Sequence, residues 1–166
     1  MDVEAKWAAI ADRRRALAQL VEGRPDEDWE RPSLCTEWRI RDVVAHVALT
    51  PHSPTVGAIL LAAVRARGDF DRVNRDMARA YAARPPAELV ADLRGSADSR
   101  RKPAITTLDN LLFDTIVHVQ DVAVPLGLSV NPPLDAARAQ SLRPLNSIFI
   151  HSMNARVRAG SSRALG

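Results

Sequence analysis

Apolar side chains return every three or four residues along most of this chain, with no sustained alternation, so the pattern predicts helices and no sheet. Over residues 3–22, Trp7, Ile10, Leu17 and Val21 share one side. Asp2 stands at the N-cap position, Gly23 and Pro25 end the run, and Arg13, Arg14 and Arg15 are placed on a solvated face. The connection from Arg24 to Arg39 carries too much proline and charge for a long helix. It is expected to wrap the bundle, with Trp29, Leu34 and Trp38 anchored on it and Asp26 capping a short turn that seats Trp29. A second helix starts at Ile40, where Ile40, Val43, Val44 and Val47 make the apolar face, His46 lies on its edge and Pro51 marks the end.

Further along, Val56–Arg67 reads as a short helix with almost no polar face before Arg65, and Phe70–Ala83 as another with Phe70, Val73, Met77, Ala80 and Tyr81 near one side. Pro85 and Pro86 separate it from a helix over Ala87 to about Ala97, since proline suits a first helical turn. The polar stretch Gly95–Pro103 reads as a mobile loop. A helix from Thr107 to Val124 follows, capped by Thr106 or Thr107 and closed by Pro125, Leu126 and Gly127. Pro132–Phe149 holds room for a last helix, broken near Pro144. The sum is an all-α antiparallel bundle.

Composition narrows this reading without changing it. A chain of 166 residues is long enough to bury a core without disulfides or a structural metal, so a metal here would be functional. The single Cys35 cannot form an intrachain disulfide, and the first residues lack the basic start and apolar run of a signal peptide, which sets a reducing cytoplasm as the expectation. The longest apolar run, Val56–Val64, has nine residues, far short of the roughly 20 that span a bilayer. The net charge of +3 resides in five arginines after Asp135 with no acid among them, so the first 135 residues carry −2. Without a basic stripe and interleaved aromatics the chain is not read as a nucleic-acid module.

The candidate chemistry lies in Leu111–Gly127. Counting about 100° per residue from Leu108, the apolar Leu112, Val119, Val122 and Ala123 gather within about 60° of the start, with Thr115 among them. Asp114, His118 and Asp121 fall near 220–280° on the same scale, one stripe flanking the core face. Zinc accepts imidazole nitrogen and carboxylate oxygen, and a catalytic site needs three protein ligands with a fourth position open. Asp114 and His118, four residues apart, can share an ion, and His46, on the flank of its own helix, supplies a third ligand if the two helices are neighbours. The alternative is that these are hydrogen-bonded core histidines with a salt-bridged surface carboxylate at Asp121. Cys35 is read as a small buried residue, and His52 and His151 as surface residues.

Trp29 and the later LCTEW and DVVAHV blocks, followed downstream by D-x3-H-x2-DVAVPLG, resemble the mycothiol-dependent maleylpyruvate isomerase family, a branch of the DinB-like superfamily. The matching residues are Cys35, Trp38, Arg41, Asp42, Val43, His46, Asp114, His118, Asp121, Pro125, Leu126 and Gly127, within roughly residues 5–130. The resemblance implies a DinB-like four-helix bundle with short extra helices over residues 1–130, and the residue pattern after it is expected to give a C-terminal helix and basic tail, partly disordered, over 131–166. It also implies a divalent metal, zinc by preference, on His46, Asp114 and His118, with Asp121 orienting His118 or a water. Mycothiol is the implied thiol cosubstrate and a small electrophile its partner, in isomerisation or S-transfer by a monomer or homodimer. Two departures stand out: the family's glycine before Trp38 is Glu37, and its threonine after it is Arg39, which leaves Thr36 or Glu37 to cap the second helix. The competing function is a non-catalytic metal-binding or interaction bundle.

Overall fold

The computed structural model describes residues 1–52 and 55–130, and the expected last helix, the basic tail and His151 lie outside them. The described residues form seven α-helices and no strand beyond one isolated bridge, which is the all-α fold the periodicity predicts. They are α1 (Val3–Val21), α2 (Asp26–Glu30), α3 (Ile40–Leu49), α4 (Val56–Arg65), α5 (Phe70–Ala82), α6 (Pro86–Gly95) and α7 (Leu108–Ala123), with a 3₁₀ turn at Thr50–His52. No helix among these residues is long and apolar enough to cross a membrane.

Helix boundaries follow local chemistry. Asp2 accepts the Ala5 amide at 2.7 Å and Thr107 accepts that of Asn110 at 3.1 Å, each satisfying an amide the helix itself leaves open. Asp26 is not a cap but the first residue of α2, preceded by Pro25. α3 is capped differently from the expectation: Arg39 occupies the N-cap, and the buried Asp42 reaches back to accept its amide at 2.9 Å. Asp42 also takes the Arg39 guanidinium through Nε at 3.0 Å and Nη2 at 2.8 Å, so neither Thr36 nor Glu37 is needed.

The core joins Leu17, Ala18 and Val21 of α1, Trp29 of α2, Val43, Val44 and Val47 of α3, Leu89 and Leu93 of α6, and Val119 and Val122 of α7. At the other end Ile10 packs with Leu111, Leu112 and Ile116, while Lys6 pairs with Asp109. α1 and α7 therefore run side by side from the same end. α3 runs against α7, since His46 late in α3 meets Asp114 while Leu34, ahead of α3, meets Asp121. Burying each such Leu or Val contributes about 1.5–3 kcal/mol, and this packing is what holds α3 and α7 together. The expected anchor Leu34 stays outside at 36% exposure, and Phe70, at the start of α5, is 45% exposed. Along α4, Val56, Leu60, Leu61 and Val64 are also exposed, because α4 leans mainly on α5.

The expectation for Arg14 is overturned. It is fully buried, and its guanidinium donates to the carbonyls of Ser96 (3.3 Å), Ala97 (3.3 Å) and Ser99 (2.9 Å) and to Thr50 Oγ1 at 3.4 Å. These carbonyls follow the C-terminus of α6, where a helix leaves acceptors open and favours a cation. Burial pushes Arg14 down to about 10. The start of the Gly95–Pro103 stretch is thus pinned to α1, with Ala97 buried.

In the turn before α3, Glu37 takes a left-handed backbone with φ of 65°, at the position where the resembled pattern carries glycine. Its carboxylate pairs with Arg75, and its carbonyl accepts Arg79 Nη2 at 2.7 Å. Glu37→Gly and Glu37→Ala both lose the exposed ion pair, but only glycine is relieved of the Cβ clash at positive φ. The glycine variant is expected to be about 1 kcal/mol more stable than the alanine variant in urea denaturation. Equal midpoints would contradict this.

Candidate metal centre

Three segments build the site. α3 presents His46 one turn after the capping Asp42, α7 presents Asp114, His118 and Asp121, and the turn between α2 and α3 brings Cys35 and Trp38 over them. That turn is closed by Ile40 N–H donating to the Arg31 carbonyl at 2.9 Å and Ser33 N–H to the Trp38 carbonyl at 3.0 Å.

Asp114 lies between the two imidazoles. Its Oδ2 is 3.3 Å from His46 Nε2 and its Oδ1 is 3.2 Å from His118 Nε2. The His46 and His118 rings are 5.1 Å apart at 81°, and Trp38 packs on both, edge-on to His46 at 5.4 Å and parallel to His118 at 6.3 Å. On its far side His118 meets Asp121, Nδ1 to Oδ2 at 3.0 Å, and Cys35 Sγ donates to that same oxygen at 3.0 Å.

Electrostatics follow from this order. Burial opposes the charge on Asp114, but the flanking His118 and His46 outweigh it and hold the carboxyl well below its usual range. Burial likewise opposes charge on His118, yet Asp114, with Asp121 behind, raises it well above an ordinary histidine. Burial pushes the Cys35 thiol up, which keeps it a hydrogen-bond donor.

The donor set fits a divalent metal. Donors on a tetrahedron with bonds of about 2.1 Å stand about 3.4 Å apart, and each Asp114 oxygen lies near that distance from a different imidazole, Oδ2 at 3.3 Å from His46 Nε2 and Oδ1 at 3.2 Å from His118 Nε2. The donor atoms of His46, Asp114 and His118 all lie within 4.8 Å of one another. Asp121 then sits where a partner for the remaining imidazole N–H belongs. All four residues singled out from the sequence are brought together. Asp121 is 2% exposed, so it is no surface carboxylate, while His52 is exposed and outside the cluster. Cys35 and Trp38 were missed as site residues. Their only sequence signal was membership in the LCTEW block, because nothing local places residues 35 and 38 against residue 118.

Fold and cluster together define a class: an all-α bundle in which a histidine-and-carboxylate group bridges two antiparallel helices. Comparison by sequence places it more closely, since the profile of the mycothiol maleylpyruvate isomerase N-terminal domain matches residues 10–109. The chain belongs to that family. The match contains Cys35, Trp38 and His46 and stops in the first turn of α7, so Asp114, His118 and Asp121 enter through packing beyond it. No curated protein and no solved structure gives a significant match.

Proposed function

We propose that this protein is a divalent-metal-dependent enzyme that uses a low-molecular-weight thiol, mycothiol, for isomerisation of a small electrophilic substrate or S-transfer to it. The observation that carries this reading is the convergence of His46 Nε2, His118 Nε2 and the Asp114 carboxylate, and family membership supports the thiol. Zinc suits two imidazoles and one carboxylate. An ion held there supplies an open position at which a thiol stays deprotonated at neutral pH.

The remaining work falls to this chain's own side chains. Asp121 holds the proton on His118 Nδ1 and so keeps Nε2 facing Asp114 and His46. Trp38 packs on both rings and excludes water from that side. To test the reading, mycothiol at millimolar concentration is added to the cobalt-substituted protein. A thiolate-to-cobalt band and a shift of the visible spectrum are expected, and an unperturbed spectrum would remove the thiol from the proposal.

A further inference from the structure

We propose that Cys35 is a positioning residue for this centre: its thiol holds the Asp121 carboxylate so that Asp121 retains the proton on His118 Nδ1 and leaves Nε2 turned to Asp114 and His46. The consequence for metal binding rests on the reading above, whereas the hydrogen-bond chain does not.

An imidazole has two nitrogens, and the partner of one decides what the other can do. Asp121 Oδ2 takes two donors at once, His118 Nδ1 and Cys35 Sγ, each at 3.0 Å. Cys35 itself is fixed, since its amide donates to Ser33 Oγ at 3.0 Å and its carbonyl accepts the Trp38 amide at 3.1 Å. The neighbouring Leu34 amide donates to the Asp121 carbonyl at 3.1 Å, so consecutive residues of one turn grip the backbone and the side chain of Asp121. A shift of this turn would move the oxygen that faces His118.

Cys35, His118 and Asp121 also stand close enough to hold an ion themselves. The geometry favours the positioning role, because Cys35 and Asp121 are 8% and 2% exposed and leave little room for a fourth ligand. Asp114, which belongs only to the other group, keeps 18% side-chain exposure against 3% for Asp121.

The experiment uses the full chain, its Cys35→Ser, Cys35→Ala and Cys35→Val variants, and zinc alone as probe. Proton–nitrogen NMR reads the exchange of the His118 Nδ1 proton with water, first without metal and then with zinc, and chelator competition reads zinc affinity. Serine, which keeps a donor, is expected to hold exchange and affinity within about threefold of wild type. Alanine and valine are expected to speed exchange and to weaken zinc by about tenfold each, the lower end for groups that support a ligand. If valine, which fills the space without donating, behaves as wild type, the role is packing and the proposal falls. A thiolate-to-cobalt band in the cobalt protein without added thiol would also overturn it, by making Cys35 a ligand. Should the wild type bind no zinc, the metal reading fails by itself, and exchange in the metal-free protein still decides the role of Cys35.

Discussion

Replacing His118 by alanine is expected to abolish stoichiometric metal binding and to cost the metal-free protein about 2–3 kcal/mol. The two effects share one cause. His118 Nε2 is 3.2 Å from Asp114, and its Nδ1 is 3.0 Å from Asp121, so its loss strips a cationic partner from two carboxylates. Breaking a fully buried ion pair costs about 3–5 kcal/mol; the figure is set lower here because the Asp114 side chain is 18% exposed and keeps His46 at 3.3 Å. Affinity for metal should fall by more than 100-fold, beyond the roughly 10–100-fold typical of groups that only support a ligand. His46→Ala should lose metal as well but less stability, because His46 faces the one carboxylate of Asp114, which keeps His118 at 3.2 Å, whereas His118 faces both Asp114 and Asp121. Metal content after equilibrium dialysis, with urea denaturation of the chelated proteins, checks both parts. Unchanged zinc stoichiometry in either variant would sink the site.

The second large effect belongs to a residue far from that chemistry. Arg14→Ala is expected to destabilise the protein by about 3–5 kcal/mol, lowering the melting temperature by more than about 10 °C. Alanine leaves a cavity within the bundle and three backbone carbonyls, of Ser96, Ala97 and Ser99, without their donor. A hydrogen bond to a charged group contributes about 1.5–3 kcal/mol, and the unmet acceptors are charged their full desolvation penalty. The next residue is the natural control. Arg15 pairs with Asp98 at the surface, where such pairs contribute about 0–1 kcal/mol, so Arg15→Ala should be nearly silent. The Arg14 effect should also resist salt, since its partners are neutral carbonyls and a hydroxyl rather than a screened carboxylate. A loss below 1 kcal/mol, or one erased by molar salt, would refute this account.

Much of the helix layout was legible because its causes are local. The 3.6-residue period places Leu112, Val119 and Val122 on one face of α7 and Asp114, His118 and Asp121 beside it wherever that helix forms. Asp2 and Thr107 cap because a short oxygen-bearing side chain at that position reaches the open amides next to it. The α3 cap differs from the expected Thr36 or Glu37 for a reason equally local: Asp42, three residues inside the helix, is long enough to reach back to the Arg39 amide.

What periodicity left open depends on chain segments that meet only after folding. Three arginines in a row look like a solvated face, and Arg13 and Arg15 share that appearance with Arg14. Arg14 is buried because the turn after α6, 82–85 residues away, offers it carbonyls. Cys35 looks like a small core residue until α7 sets Asp121 and His118 against it from 86 and 83 residues along the chain. The sequence by itself determined the helices and the single stripe on α7, since a repeat and a cap act over one turn. Only the tertiary structure decided that His46 faces Asp114, that Cys35 grips Asp121 and that Arg14 lies inside, because each needs two distant segments brought within a few ångströms by the packing of α1, α3, α6 and α7.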